Sequence, residues 1–539
     1  MHRANIQDMH TAVETNRGFD VIIVVSSDRD QADFWQERLE AGRGSVIGRK
    51  TQIISVEEDW PGGAGQLLGT LYAWEKAQAS PRYESRVESR ESGVVGDSRL
   101  QTPDSRLLSG GSVAMYHTAG KGMRMAPLPA AEANNKSAIK LPRLIETNGK
   151  RHAMTVLEGV IFQTGPFASS RGGRLCVFWG DQIFIPSRSV GFEGKYQGEI
   201  LSIRAEIPSD EETWKRDWQS YGLIISLQST GVRDRGVGAD PYQLTSDNCI
   251  PAAGSGALQR EKRGWSELKK LIDRGMAQPD ESGRIIMGKS LGCFSLSYAL
   301  LEALREEFAA ELAEKRARMD TDPHLWMPLT STREEFVSGG GDEALWERVN
   351  RFKGRFLAQE GLELFGDKDL GCQTLWWDYG QLRLYHQNFL RLLERSLEGE
   401  CLRQFYDLDR YWIESSYSGG LTVENSILLD TQAKGRVKDS ILLGVSADYL
   451  DISGSVIVSS SLSHAHTRDA LIYNCIDLGK LELSSGEVVA DIFLPSCGRV
   501  RMRTELWRDG KKEWTETIRG NPYSFEALSK LVMTQPISV

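Results

Sequence analysis

Cysteine is scarce in this sequence: the chain has 539 residues and seven cysteines, and no two of them form a C-x-x-C pair. An odd number of widely spaced cysteines fits neither a disulfide framework nor a zinc ribbon. An excess of one charge is also lacking, because 65 Lys and Arg against 74 Asp and Glu give a formal net charge of −9. This balance argues against a general nucleic-acid coat and against a polybasic membrane binder.

Long apolar runs are also missing from the start of the chain. Its first residues contain no apolar segment of the kind that signals secretion, and the first apolar run, Val21 to Val25, is far too short to cross a bilayer. We therefore expect a cytoplasmic protein with neither a membrane nor a nucleic acid as partner. The composition, with 40% hydrophobic and 26% charged residues, is that of an ordinary globular protein, and the length suggests roughly two to four domains.

Most of the chain has the pattern of an α/β protein. The apolar strand at Val21 to Val25 leads into a helical pattern, and a second short strand leads into a helix that glycines open. Residues 80–112 are rich in Ser, Arg and Glu and predict a mobile surface insertion. Further on, apolar residues at helical spacing predict one amphipathic helix over 297–319. We predict an α/β domain over residues 1–415.

The last part of the chain has a different period. Short β-branched runs begin at Asn425, Asp439, Gly454 and Ala470, so they recur after 14, 15 and 16 residues. Such self-similarity predicts a parallel β-helix, in which each coil stacks its short strand on the preceding one. We therefore predict a C-terminal parallel β-helix domain over 416–539, ending in a tail. An antiparallel sandwich of short strands is the alternative.

The segment from 118 to 142 carries the most informative chemistry. A strand runs into a loop that holds Gly120 and Gly122, and Arg124 and Lys136 follow. Glycines let backbone N–H groups close around phosphate oxygens, and the two cations would neutralise a polyphosphate. For the glycine pair alone, a simple strand-to-helix turn with two solvated cations is the better interpretation.

This segment resembles the signature of the sugar-1-phosphate nucleotidyltransferases, the pyrophosphorylases that make nucleotide sugars. The matching positions are Gly120, Gly122, Arg124, Pro127, Leu128, Lys136, Ala138 and Leu141. One departure is Met123, where the family commonly has a small hydroxyl residue. The resemblance implies that residues 1–415 form a Rossmann-like domain with a mixed sheet and that Arg124 and Lys136 are catalytic. It also implies a nucleotide-binding loop of Ala119, Gly120, Lys121 and Gly122.

Two aspartates lie in further segments that resemble this family, in the order it requires. Asp181 ends the strand CVFWGD, and Asp378 belongs to LWWDYGQ, where Gln381 replaces the usual Thr. The resemblance makes both of them catalytic metal ligands. The chemistry agrees, because Mg²⁺ prefers one or two carboxylates together with phosphate oxygens and water. Taken singly, each aspartate is as readily explained as an N-cap or turn residue.

Two more matches are less specific. In QREKRG, Glu261 and Lys262 resemble the motif whose lysine contacts the sugar phosphate, but Arg263 stands where proline is usual, and a solvated charge run explains the segment equally well. The order of segments is similar to that of the L-fucose-1-phosphate guanylyltransferases, in which a glycine-rich segment precedes the phosphate loop. That resemblance places Gly62, Gly63, Ala64 and Gly65 against the nucleobase, and a helix-start turn is the alternative.

Together these resemblances imply nucleotidyl transfer from a nucleoside triphosphate, GTP or UTP, to a sugar 1-phosphate. Mg²⁺ is the implied cofactor, and the products would be pyrophosphate and a nucleotide sugar similar to GDP-fucose. A homo-oligomer is open as well, because β-helical domains often assemble side by side.

Three other functions stay open. The chain could be a catalytically silent regulatory or scaffold subunit. It could be a bifunctional enzyme with acyltransferase activity in the β-helix, where His464 and His466 are the local candidates. It could also be a P-loop kinase or ATPase, because Gly283 to Ser290 satisfies the Walker pattern, although no buried strand precedes it.

Overall fold

The computed structural model describes residues 1–79, 102–147, 149–192, 196–227, 256–280, 282–360 and 363–535. These residues form a mixed α/β protein with two large sheets and two small two-stranded ones. None of the described helices is both long enough and apolar enough to cross a bilayer.

The strands are, in chain order, β1 (Val21–Ser26), β2 (Gln52–Glu57), β3 (Ser112–His117), β4 (Lys140–Thr147), β5 (Lys150–Thr155), β6 (Arg174–Trp179), β7 (Gln182–Ile185), β8 (Tyr196–Glu206), β9 (Leu223–Ser226), β10 (Ala257–Arg260), β11 (Ile286–Ser297), β12 (Glu363–Asp369), β13 (Leu375–Asp378), β14 (Trp412–Ser418), β15 (Leu421–Leu429), β16 (Gly435–Lys438), β17 (Ile441–Ser453), β18 (Val456–Arg468), β19 (Leu471–Tyr473), β20 (Ile476–Leu483), β21 (Glu487–Leu494) and β22 (Gly498–Glu505). The helices are α1 (His2–Glu14), α2 (Arg29–Ala41), α3 (Gly65–Gln78), α4 (Pro103–Leu108), α5 (Leu128–Ala131), α6 (Val156–Thr164), α7 (Glu211–Asp217), α8 (Trp265–Asp273), α9 (Tyr298–Glu307), α10 (Ala309–Glu314), α11 (Met327–Thr330), α12 (Arg333–Ser338), α13 (Glu343–Glu360), α14 (Leu382–Leu390), α15 (Leu397–Phe405) and α16 (Phe525–Met533).

The first sheet is mixed. Its strand order is β10-β9-β11-β6-β3-β1-β2, and β8 pairs with both β11 and β12. Strands β2, β1, β3 and β6 run parallel to one another, whereas β11 is antiparallel to β6. The carboxyl ends of the parallel strands therefore meet at one edge of the sheet, which is where ligands bind in open α/β sheets.

Strand β1 shows why its sequence is apolar throughout. Val21, Ile23 and Val25 pack with α3 on one face of the sheet, and Ile22 and Val24 pack with α2 on the other. A strand that is covered on both faces needs apolar residues at every position, not at alternate ones. All six residues of β1 are buried, which confirms the strand predicted there.

The second sheet contains the C-terminal repeats and is largely parallel. Among the described residues it has nine strands, and the antiparallel pairs in it are β14 with β15 and β21 with β22. The repeated runs stack in register, because Ile427 pairs with Ile441, Ile441 with Val456, Val456 with Leu471, and Leu471 with Val488. The parallel pairing of consecutive repeats is incompatible with an antiparallel sandwich.

Serines bridge successive repeats of this sheet. Ser440 N donates to Ser426 Oγ and Ser455 N donates to Ser440 Oγ, each at 3.1 Å. These side chains are fully buried, so each hydroxyl supplies a partner for a backbone N–H that would otherwise be unsatisfied. This explains the serine at the start of the first three apolar runs, Ser426, Ser440 and Ser455.

Two local predictions need correction. The single helix predicted over 297–319 is two helices, α9 and α10, with Phe308 between them outside helical geometry at φ −104° and ψ 19°. The apolar face itself is as predicted, with Leu301, Leu304, Phe308 and Leu312 all buried. The insertion predicted over 80–112 falls partly on residues 80–101, which lie outside the described residues. Its last part is helix α4, which begins at Pro103 after the Thr102 cap, and the first residue of β3.

Candidate active site

Three parallel strands end side by side at the predicted phosphate loop. Strands β1, β3 and β6 are neighbours, and hydrogen bonds join the loops after β3 and β6 to the adjacent strand or loop. Thr118 N donates to Val25 O at 2.9 Å, Gly120 N donates to Ser27 Oγ at 3.2 Å, and Gly180 N donates to the carbonyl oxygen of His117 at 3.1 Å. The loop after β3 is therefore held between the loops of its two neighbours.

Glycines shape this loop around Lys136. Gly120 and Gly122 have φ values of 124° and 59°, a backbone region that residues other than glycine rarely adopt. A Cβ atom on Gly122 would lie 2.8 Å from the Cβ of Lys136 and 3.1 Å from the Cγ of Pro129. Without a side chain at Gly122, Lys136 packs directly over the loop, and a single 3-10 turn, Met123–Met125, then presents Arg124.

Asp181 and Asp378 lie next to each other. They are almost two hundred positions apart in the sequence, but β7 and β13 form an antiparallel pair in which Asp378 is opposite Gln182, the residue after Asp181. The backbone N–H of Tyr379 also donates to the carbonyl oxygen of Asp181 at 3.2 Å. The two-stranded sheet thus brings both predicted carboxylates to the edge where β6 ends.

The same carboxylates face the two predicted cations. Lys136 Nζ lies 3.0 Å from Asp181 Oδ2, and the two side chains are 18% and 24% exposed. Burial raises the pKa of Asp378, and the negative charge of Asp181 raises it further. The Gly380 N–H, 2.6 Å from Asp378 Oδ1, and the nearby Arg124 and Lys136 charges lower that pKa. All four predicted catalytic residues therefore interact within one site.

The donor set suits a cation that is shared with a phosphate. Among the described residues, no group of three or more His, Cys, Asp or Glu side chains converges in the way that a metal cage requires. Asp181 and Asp378 together offer two hard carboxylates beside a glycine loop. Mg²⁺ commonly takes one or two carboxylates from a protein and the remainder of its ligands from phosphate oxygens and water, so the types of residue present here fit that ion.

The four residues predicted to lie against the nucleobase, 62–65, differ in what surrounds them. Gly65 has φ +76°, and a Cβ atom on it would lie 2.5 Å from the carbonyl oxygen of Met319, so this glycine is required by packing inside the protein. Ala64 is fully buried, and its N–H donates to Glu58 Oε1 at 2.8 Å. A Cβ atom on Gly62 would have no neighbour within 4 Å. Gly62 thus borders open space, whereas a Cβ atom on Gly63 would lie 3.8 Å from Glu58 Oε1 and 3.9 Å from Arg318 Nη1.

Glu261 and Lys262 follow β10 and connect to the aspartates through Tyr221. The Tyr221 ring lies 4.8 Å from that of Trp376 on β13, and burial together with the charge of Asp378 raises the Tyr221 pKa. A Cβ atom on the next residue, Gly222, would lie 3.1 Å from Glu261 Oε2. The side chain of Lys262 is 64% exposed and its Nζ lies 3.4 Å from Glu261 Oε1. Contacts through Tyr221, Trp376 and Gly222 therefore connect the aspartates with the predicted sugar-phosphate residues.

Several residues of this site carry no signal in the sequence. Tyr221 is one, because only the fold places its ring beside β13. His117 is another: its Nε2 lies 2.9 Å from Thr70 Oγ1, and burial, followed by the charge of Lys136, lowers its pKa to about 4. At neutral pH this imidazole is uncharged and serves to join α3 to the end of β3.

The structure excludes the P-loop alternative. Residues 286–290 of the Walker-like segment belong to the strand β11 and pair with β8, whereas a P-loop is a glycine-rich loop that leads into a helix. The Lys289 ammonium lies 4.8 Å from the Trp218 ring centre, against an aromatic side chain.

The two histidines proposed for acyl transfer lie on the exposed face of β18. His464 and His466 are both exposed, as expected for alternate residues of one strand. His466 Nδ1 lies 3.0 Å from Asp451 Oδ2 on the neighbouring strand.

No protein-family model matches this chain, and no curated protein is significantly similar to it in sequence. The geometry of the site and the motifs of the sequence are therefore what indicate a function for this chain.

Proposed function

We propose that this protein transfers a nucleotidyl group from a nucleoside triphosphate to a sugar 1-phosphate and releases pyrophosphate. The observation that carries the proposal is the convergence of Asp181 and Asp378 with Arg124 and Lys136 at the glycine loop. Two carboxylates and two cations beside backbone amides are what a metal-bound polyphosphate requires for binding.

The reaction needs no covalent enzyme intermediate. A phosphate oxygen of the sugar 1-phosphate attacks the α-phosphorus, the bond from the α-phosphorus to the bridging oxygen breaks, and pyrophosphate leaves with that oxygen. Such a transfer is accelerated mainly by positioning and by neutralising charge. Arg124 and the loop amides grip the β- and γ-phosphates, and Lys136 stabilises the charge that develops on the transferred group.

Asp181 and Asp378 are the residues that would hold Mg²⁺ against the α-phosphate. When bound, the cation neutralises the negative charge of the triphosphate. The raised pKa of Asp378 supports this assignment, because burial makes its charged form unfavourable in the free protein and a nearby divalent cation would remove that penalty. In the free protein the Lys136 ammonium partly fulfils this role at Asp181.

The sugar 1-phosphate would bind on the side of Glu261 and Lys262. Lys262 is an exposed cation next to a half-buried carboxylate, and the contacts through Tyr221 and Gly222 connect it to the metal side of the site. A mobile ammonium suits a dianionic phosphate that must enter and leave.

For the C-terminal part we propose a parallel β-helix. Parallel pairing of repeats that recur after 14 to 16 residues, with apolar residues and serines stacked at matching positions, supports coils that are joined by turns. Its role would be to support the catalytic domain, since Leu429, Leu443 and Val458 share a hydrophobic core with α14 and α15.

The test is a measurement of pyrophosphate release by the full chain. GTP, UTP, ATP and CTP are each combined with fucose, glucose, galactose and mannose 1-phosphates in the presence of Mg²⁺. We expect release that requires both substrates and is lost with EDTA. Pyrophosphate formation by wild type and by the control variant Asp8→Asn, but not by Asp378→Asn, would support the assignment. No release with any pair would favour the catalytically silent scaffold, and triphosphate hydrolysis without a sugar would contradict nucleotidyl transfer.

A further inference from the structure

Four buried side-chain polar atoms without a hydrogen-bond partner belong to β10, to the proposed sugar-phosphate segment that follows it, and to the turn packed against that strand. They are Nε2 and Oε1 of Gln259, Oε2 of Glu261 and Oδ1 of Asp322, each buried and unpartnered among the described residues. Gln259 is 0% exposed. Its backbone N–H has a partner, because it donates to Thr330 Oγ1 at 3.1 Å. The backbone N–H of Gln259 is therefore satisfied, whereas its side-chain amide is not.

Two of these atoms lie beside Gly222. A Cβ atom on Gly222 would lie 2.6 Å from Gln259 Nε2 and 3.1 Å from Glu261 Oε2. Asp322 lies in the turn that packs against β10. Burial, followed by the negative charges of Glu261 and Asp320, raises its pKa to about 7, although the charge of Lys262 acts to lower it. The cluster is open to solvent at Glu261, whose side chain is 25% exposed.

An unsatisfied buried amide is unusual and needs a physical reason. Most buried polar side-chain atoms have a partner, and a group without one pays its full desolvation penalty. The four atoms offer a donor at Gln259 Nε2 and acceptors at Gln259 Oε1 and Glu261 Oε2. Asp322 can donate when it is protonated and accept when it is not. A ring that carries adjacent hydroxyls, each both donor and acceptor, would satisfy such a set.

We propose that Gln259, Glu261 and Asp322 recognise the ring hydroxyls of the sugar 1-phosphate, with Gln259 as the residue that determines specificity. This inference rests on the proposed function and adds the groups that would distinguish one sugar from another. A site that hydrogen-bonds a hydroxyl rejects an analogue without it, because its own buried polar atoms are then left unpaired. Gln259 therefore acts through substrate binding and not through the bonds that change.

The experiment compares Gln259→Leu with Gln163→Leu in the full chain. Gln163 is also buried, but its amide is satisfied: Nε2 donates to Gln182 O at 2.8 Å and Oε1 accepts from Phe184 N at 2.6 Å. Without ligand, we expect the Tm to rise in Gln259→Leu, since an unpartnered polar group is replaced by an apolar one, and to fall in Gln163→Leu. We also expect the KM for the preferred sugar 1-phosphate to rise by about tenfold or more in Gln259→Leu, with the KM for the triphosphate unchanged.

Thermal shifts with ligand separate this inference from the proposed function. Fucose, glucose, galactose and mannose 1-phosphates, each with a deoxy analogue, are added to both variants and to wild type without a nucleotide. If wild type forms no pyrophosphate, the proposed function fails, but a sugar-phosphate shift that is lost in Gln259→Leu still supports recognition by Gln259. A wild type that none of these sugar phosphates shifts overturns the inference, as does a Gln259→Leu variant with a lowered Tm and an unchanged KM for the sugar. If Gln259→Leu does not fold, Asp322→Asn replaces it. The KM for each sugar 1-phosphate is then divided by the KM for its deoxy analogue, and a ratio equal to that of wild type also overturns the inference.

Discussion

Replacing Asp181 by Asn tests the central feature of the site. The change removes one negative charge and keeps the size of the side chain. In the free protein Asp181 pairs with Lys136 at 3.0 Å, and both side chains are partly exposed, at 24% and 18%. An ion pair of this kind contributes about 1 kcal/mol or less to stability. The loss of repulsion between Asp181 and Asp378 offsets part of that contribution, so we expect the free energy of unfolding to change by no more than about 1 kcal/mol.

The effect on catalysis should be much larger. If Asp181 is one of only two protein ligands to a hard cation, its neutral amide replacement should lower the rate of pyrophosphate release by at least about 100-fold, which corresponds to about 2.7 kcal/mol of transition-state stabilisation. A small change in the free energy of unfolding together with a large loss of rate would indicate that the Asp181 carboxylate acts in catalysis and not in folding.

The assay combines urea unfolding with pyrophosphate release over a series of Mg²⁺ concentrations, for wild type, Asp181→Asn and Asp8→Asn. Asp8 is an exposed carboxylate on α1 and controls for the loss of one charge. Turnover of Asp181→Asn at the wild-type rate would remove the metal assignment. A loss of activity that merely follows a loss of several kcal/mol in stability would assign Asp181 a structural role instead.

Three further predictions concern separate parts of the site. Arg124→Ala should raise the KM for the triphosphate and lower kcat in steady-state kinetics, whereas unchanged values would mean that the glycine loop does not touch phosphate. Gly65→Ala should lower the free energy of unfolding in urea by about 1–3 kcal/mol, because φ is +76° and the new methyl group would lie 2.5 Å from Met319 O; wild-type stability would contradict the packing role. The pKa of Asp322 is about 7 in the folded state, against an ordinary value of 3.8. Between about pH 4 and 7 the folded chain therefore keeps a proton on this carboxylate that the unfolded chain has released. The free energy of unfolding of wild type should therefore carry a contribution that decreases as the pH rises through this window, by at most about 4 kcal/mol; unfolding at pH 4 and pH 7 should show this decrease reduced in Asp322→Asn, and an identical pH dependence in both proteins would contradict the burial of this carboxylate.

Much of the architecture depends on local patterns, and the sequence alone predicts those parts. The continuous apolar run at Val21 to Val25 predicts a strand covered on both faces, because strand periodicity and burial act over a few residues. The recurrence of short runs after 14 to 16 residues predicts stacked parallel strands, and the pairing of Ile441 with Val456 follows that spacing. The order of the glycine loop, Asp181 and Asp378 along the chain predicts the composition of the candidate site.

Other features are decided by contacts between distant parts of the chain. Helix periodicity extends through Phe308, but the backbone leaves helical geometry there. The glycine at position 65 has the same appearance in the sequence as its neighbours, and only the approach of Met319 distinguishes its role.

The sequence by itself determined the buried strand at Val21 to Val25, the parallel stacking of the C-terminal repeats, and the order in which the glycine loop and the two aspartates follow one another. Only the tertiary structure decided that Asp378 lies beside Asp181, through the pairing of β7 with β13, and that the amide of Gln259 has no partner among the described residues. The physical reason is the separation along the chain over which each effect acts. Propensity and periodicity act between near neighbours in the chain, whereas a shared cation site or a missing hydrogen bond depends on atoms that only the folded chain brings together.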